Sequence, residues 1–192
     1  MLNGGFEAFE ATRQAMVELM KTLENDEFAA IGVYGMGGVG KTTLVKYLSA
    51  IALKKGLFDH VIMAVVSQTP NTRNIQGTLA DGAGLEIEEE SEIGRAGRLQ
   101  KEILRRSKIL IILVDIWNGL DLSSIGIPRY NELQICNSKV LFTTRRLYVC
   151  HSMESQANIH LSILSEEDAW NLFLKKTRKS FQKSTDFYEV AR

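Results

Sequence analysis

Apolar residues in this chain follow two rhythms. Four runs are apolar almost throughout: Ala29 to Tyr34, His60 to Val66, Lys108 to Val114 and Ser138 to Thr143. Such runs suit strands covered on both faces. Ile159 to Leu161 suits a short edge strand. Between the runs the spacing turns helical. Helices are expected at about Glu10 to Glu24, at Thr43 to Lys54, from Thr72 onward with Ile75, Leu79 and Ala80 inward, and at Arg95 to Arg106 with Ala96, Leu99, Ile103 and Leu104 inward. Asp81-Gly82-Ala83-Gly84 is a poor helix continuation, since each glycine costs up to about 1 kcal/mol in a helix interior. Leu120 to Pro128 reads as an irregular connection. Ser165-Glu166-Glu167-Asp168 is an S-x-x-D capping pattern. It predicts a helix from Glu166 to about Arg178, with Trp170 and Phe173 in the core. Strands alternating with helices predict an α/β fold, a mostly parallel sheet with helices on both faces and right-handed crossovers.

The first strand breaks into Gly35-Met36-Gly37-Gly38-Val39-Gly40, and Lys41-Thr42-Thr43 then opens a helix. The spacing Gly35-x4-Gly40-Lys41-Thr42 fits the phosphate-binding loop. Glycines permit positive φ, so successive N–H groups can turn inward around an anion. The helix N-terminus adds unpaired N–H groups and partial positive charge. Lys41 would reach the β- and γ-phosphates, and the Thr42 hydroxyl would sit on Mg²⁺. A glycine turn that binds nothing is the plain alternative; the strand before and the helix after argue against it.

In parallel sheets ligands sit beyond the carboxyl ends of the strands. Gly35 to Thr43, Ser67-Gln68, Asp115 and Thr143 to Arg145 all follow strands and are expected to converge there. An apolar strand ending in Asp115 reads as a Mg²⁺ carboxylate, against an ordinary aspartate in a turn. Arg145 is placed to contact a γ-phosphate and so to distinguish ATP from ADP, against pairing with surface carboxylates.

The 192 residues suffice for one α/β domain, or one domain plus a fragment. Basic and acidic residues balance at 23 each, so no net field favours nucleic acid or an anionic membrane. Cys136 and Cys150 form no metal spacing and no disulfide framework, which suggests a reducing, cytoplasmic setting. No apolar run is long enough to span a bilayer, and the first residues lack a secretory pattern. Five glutamates between Glu86 and Glu92 read as a solvated loop, since no ligand-type spacing accompanies them.

Together these residues resemble the nucleotide-binding (NB-ARC) domain of plant disease-resistance proteins of the coiled-coil, leucine-rich-repeat type. IGVYGMGGVGKTTL resembles that family's extended phosphate loop. FDHVIMAVVSQ resembles its next strand block, KILIILVDIWNGLDLSSIGIP its Walker B block, SKVLFTTRR its sensor block and LSILSEEDAWNLF the helix that follows. The resemblance implies a P-loop NTPase fold and an ADP/ATP switch. ADP holds the resting receptor closed, exchange for ATP opens it, and slow hydrolysis resets it. It implies that Arg145 is the sensor arginine, and that the partners are adenine nucleotide and other domains of a receptor or other signalling proteins.

Two departures stand out. The family pattern is Leu-Asp-Asp-Val-Trp, or Ile for Val; here it is Leu113-Val114-Asp115-Ile116-Trp117. Aligned on Trp117, the Mg²⁺ aspartate is Val114. Asp115 matches the second aspartate, which positions or activates the attacking water. Adjacent strand residues face opposite sides, so Asp115 replaces the missing carboxylate only if the chain has already turned. Losing one carboxylate should weaken Mg-ATP and hydrolysis more than ADP. The second departure is extent. The family continues with a GLPL motif, a winged-helix part and leucine-rich repeats, and DFYEVAR stops before GLPL would begin, so a fragment or reduced product is expected. The expected organisation is a helical lead-in over 1–27, the nucleotide-binding domain over 28–164, and the start of a helical subdomain over 165–192. Competing functions are a small-substrate ATPase or kinase on the same loop, and a non-hydrolysing remnant acting as an interaction surface.

Overall fold

A computed structural model describes residues 10–163, 165–170 and 174. Five strands form one parallel sheet: β1 (Ala30–Tyr34), β2 (His60–Val65), β3 (Ile109–Ile116), β4 (Lys139–Thr144) and β5 (Ala157–His160). Their order is β2-β3-β4-β1-β5. The helices are α1 (Glu10–Glu24), α2 (Lys41–Lys54), α3 (Thr72–Ala83), α4 (Glu92–Arg106), α5 (Tyr130–Ile135) and α6 (Leu147–Ser152).

The central strands β3, β4 and β1 are buried from both sides, as their apolar runs require. β2, at the sheet edge, buries Ile62 and Ala64 but leaves Val65 65% exposed, so the His60 to Val66 run is not covered on both faces as its composition suggests. On one face Leu19 and Leu23 of α1 and Leu44 and Leu48 of α2 pack with Ile31, Leu110, Ile112 and Leu141. On the other, Leu79 of α3 and Leu99 and Ile103 of α4 pack with Ile62, Ile111, Leu113 and Phe142. Residues of β3 alternate between the two cores, as a pleated strand must. Each fully buried Leu, Ile or Phe contributes about 1.5–3 kcal/mol of apolar transfer.

A few polar side chains fasten the connections. Gln76, fully buried, donates to the carbonyls of Glu92 and Ser124 and accepts from Arg95 Nε. It ties α3 to α4 and to the 120–128 connection. Lys139, buried at the start of β4, donates to the Phe28 carbonyl at 2.7 Å, and burial lowers its pKa. Asn71 and Ser91 cap α3 and α4 by accepting from the Asn74 and Gly94 amides.

Several expectations need correction. α3 runs through Asp81 and Gly82 to Ala83, with Gly84 as its left-handed cap. Gly82 is there for packing: a Cβ would lie 2.7 Å from Ile62 Cγ2. Leu104 is 37% exposed, so only Ala96, Leu99 and Ile103 of that stripe are buried. α4 begins three residues earlier than its apolar stripe suggests, and takes Glu92 from the acidic run. α5 and α6 have no counterpart among the expected helices. Ser165 does cap, accepting from the Asp168 amide at 3.1 Å, and residues 166–170 are helical. Trp170 is 49% exposed rather than in the core. Phe173, most of that predicted helix and the first nine residues of the lead-in lie outside the described residues.

Candidate functional site

The glycine loop joins β1 to α2 in the middle of the sheet. Gly35, Gly38 and Gly40 have φ of 152°, 81° and 99°, which side chains rarely adopt. At Gly35 the Leu161 carbonyl oxygen fills the space a Cβ would need. At Gly38 and Gly40 nothing lies within 4 Å of where a Cβ would stand, so there only the backbone conformation requires glycine. Gly40 ends the loop as the left-handed N-cap of α2, without a side-chain cap. The first-turn amides of α2 thus stay available to a ligand.

Lys41 is 9% exposed, and its ammonium donates to the carbonyls of Gly35 and Met36, each at 2.7 Å. Burial lowers its pKa most; the Arg145 cation lowers it further, and Asp115 opposes them. Two cations therefore face one space with a single carboxylate between them.

That space is a crevice of about 410 Å³ lined by Gly37, Gly38, Gly40, Lys41, Thr42, Thr43, Asp115, Thr143 and Arg145. Of the sequence-predicted residues, Gly35, Met36 and Val39 do not line it. Met36 is 66% exposed, and Val39 packs against the α1–α2 core. Ser67 and Gln68 do not line it either, because β2 lies at the sheet edge, three strands from β1.

A break in the pairing of β3 with β4 brings Asp115 there. β3 and β4 pair in step up to Leu113↔Phe142, and the next pair is Ile116↔Thr144. One extra residue has entered β3, a β-bulge. Asp115 takes φ 62°, left-handed for a residue with a side chain. The N–H it would have given to the ladder goes to Thr143 Oγ1 at 3.0 Å. Val114 stays in the α1–α2 core at 6% exposure, and Ile116 returns to the other core. The chain has turned, and the turn delivers the Asp115 carboxylate to the crevice.

Around it, Asp115 Oδ1 lies 3.8 Å from Arg145 Nε, and Asp115 Oδ2 accepts from the Trp117 indole N–H at 3.0 Å. The Arg145 guanidinium lies over the Trp117 ring, 4.2 Å from its centroid. Trp117 is the site residue that sequence reasoning missed; its place two residues after the strand-ending aspartate was the available signal. Among the described residues no cluster of three His, Cys, Asp or Glu is arranged to hold a metal, and no helix is long and apolar enough to cross a membrane.

Residues 12–183 match the NB-ARC domain. Disease resistance protein At4g27190 of Arabidopsis thaliana is 38% identical over 164 residues, covering 83% of this chain and 16% of that protein. Probable disease resistance protein At4g14610 of the same plant is 38% identical over 186 residues, covering 94% of this chain and 26% of that protein. The chain thus spans about a sixth to a quarter of the length of these relatives. Among solved structures it is similar to Cdc6p from Pyrobaculum aerophilum, with a TM-score of 0.63 and 13% identity over 91% of this chain and 51% of that one. It is also similar to the Aeropyrum pernix Orc1 protein in complex with DNA, with a TM-score of 0.60 and 16% identity over 93% of this chain and 52% of that one. At these identities the likeness concerns the fold alone. The glycine loop at the centre of a parallel sheet, the family match over most of the chain and the plant relatives lead to one conclusion: this chain belongs to the NB-ARC family, the nucleotide-binding module of plant disease-resistance proteins.

Proposed function

We propose that this chain is an ADP/ATP-binding switch module with slow ATP hydrolysis, working in the cytoplasm alongside other domains of a receptor or other signalling proteins. The observation that carries the reading is the pairing of Lys41 and Arg145 on one crevice floored by positive-φ glycines. Burial and the neighbouring cation both disfavour the Lys41 charge, and a polyphosphate between the two cations relieves both effects. The loop amides and the start of α2 favour a diphosphate in the same place.

Within this reading Lys41 holds the β- and γ-phosphates, and the loop from Gly35 to Thr43 wraps the diphosphate. Arg145 reports the γ-phosphate from the end of β4. Thr42 and Asp115 are the residues that would hold Mg²⁺, and with it the nucleotide's charge would be neutralised. A single carboxylate and a hydroxyl fit that ion, which takes most of its ligands from phosphates and water. In the same reading Asp115 also orients an attacking water. One acidic group then serves two tasks that the family divides between two, since Val114 offers no oxygen. This supports slow turnover and an ADP affinity less affected than that for Mg-ATP.

Calorimetric titration with ADP, and with ATP in the presence and absence of Mg²⁺, tests the reading. Saturable binding of both nucleotides is expected, abolished in Lys41→Ala. A folded chain that binds neither refutes it.

A further inference from the structure

Asp115 and Arg145 stand close enough to close into a bidentate ion pair, the geometry a carboxylate and a guanidinium favour. They do not close: Arg145 Nε stays 3.8 Å from Asp115 Oδ1. Trp117 touches both partners. Its indole N–H occupies Asp115 Oδ2 at 3.0 Å, and its ring face carries the Arg145 guanidinium at 4.2 Å. The guanidinium also meets the glycine loop, where a Cβ on Gly37 would lie 3.4 Å from Arg145 Nη1. Trp117 is anchored in turn by the Tyr148 hydroxyl, which donates to the Trp117 carbonyl at 3.2 Å. Among the described residues both apolar cores are built without Trp117, so core packing does not explain this half-buried ring.

We propose that Trp117 is a positioning residue that keeps Asp115 and Arg145 apart, so that both stay open to the crevice instead of neutralising each other. The N–H fixes the carboxylate and the ring face fixes the guanidinium. These are separable tasks: Trp117→Phe removes the first and keeps much of the second, while Trp117→Leu removes both. The proposal rests on the nucleotide reading of the crevice.

Two measurements on the whole chain test it. The chain has two tryptophans, so its indole N–H signals in a ¹⁵N correlation spectrum number two. The signal lost in Trp117→Phe belongs to Trp117, and Asp115→Ala should shift that same signal. In calorimetry, Trp117→Phe should reduce the gain in ATP affinity that Mg²⁺ brings about tenfold, the usual effect of removing a partner that orients a metal ligand. The preference between ATP and ADP without Mg²⁺ should stay as in the wild type. Trp117→Leu should lose the Mg²⁺ gain and also change that preference about two- to fivefold, the size of a surface cation–π contact. An unmoved indole signal in Asp115→Ala overturns the proposal, and so does a wild-type Mg²⁺ gain in both Trp117 variants. If the wild type binds nucleotide and those results fail, only this proposal falls. If the wild type binds none, the nucleotide reading falls and takes this one with it.

Discussion

The Asp115 amide donates to the Thr143 hydroxyl across the seam between β3 and β4, at 3.0 Å. This bond closes the bulge that turns Asp115 toward the phosphate loop. Thr143 itself is 1% exposed, and valine would put a methyl group where its hydroxyl accepts. Thr143→Val should therefore destabilise the chain by about 1–3 kcal/mol, the cost of an unsatisfied donor, and should weaken Mg-ATP binding more than ADP binding. Thr143→Ser should restore most of both. Urea denaturation and nucleotide titration of the two variants check this.

The glycines of the loop should differ sharply in tolerance. Gly35→Ala faces both an unfavourable φ and the Leu161 carbonyl, so a loss of several kcal/mol or failure to fold is expected, on the order of overpacking and backbone strain combined. Gly40→Ala meets no neighbour within 4 Å and should lose only about 1–2 kcal/mol, the left-handed backbone term. Thermal melting of the two variants measures the contrast.

Val114→Asp places a carboxylate at a position 6% exposed in the α1–α2 core. Without ligand the variant should be less stable by about 1–3 kcal/mol. With Mg-ATP it should recover stability through binding and hydrolyse ATP faster than the wild type. Turnover assays alongside melting curves check both parts; an unchanged rate argues against the missing carboxylate as the limit on hydrolysis.

Lys41 predicts the pH dependence of the free chain. Burial lowers its pKa below the ordinary 10.5, so between that lowered value and 10.5 the unfolded chain holds more protons than the folded one. Unfolding free energy then rises with pH in that window. The deficit is full below the lowered value and vanishes as pH passes 10.5. Relative to Lys41→Met, the wild type should gain stability as pH rises toward 10.5. Nucleotide phosphates favour the charged lysine, so ADP affinity should fall across the same range. Denaturation and titration series in both proteins show whether it does.

Much of this was legible in the residues because it depends on neighbours in sequence. The four apolar runs and the periodic helices came out within a few residues, and so did the loop, whose glycines, lysine and threonine are contiguous. What escaped depends on distant partners. Gly82 looked like a helix end because its reason for being glycine, Ile62, lies on another element. α5 and α6, six residues each, are too short to show a period. The bulge at Asp115 was invisible to strict alternation, since its closing bond comes from Thr143, 28 residues away. Trp117 carries no chemistry of its own in the sequence pattern; its role depends on Arg145, at the end of β4, whose guanidinium lies over its ring.

In the proposed reading the glycine loop and Lys41 enclose the diphosphate of an adenine nucleotide. The most direct measurement is to purify the chain, denature it, and identify any nucleotide released, with Lys41→Ala treated in parallel and ADP titrated into the emptied protein. The wild type should release ADP or ATP, Lys41→Ala should release little, and adding ADP back to the wild type should give heat. Well-folded wild-type protein that releases no adenine nucleotide and gives no heat with ADP would contradict the claim.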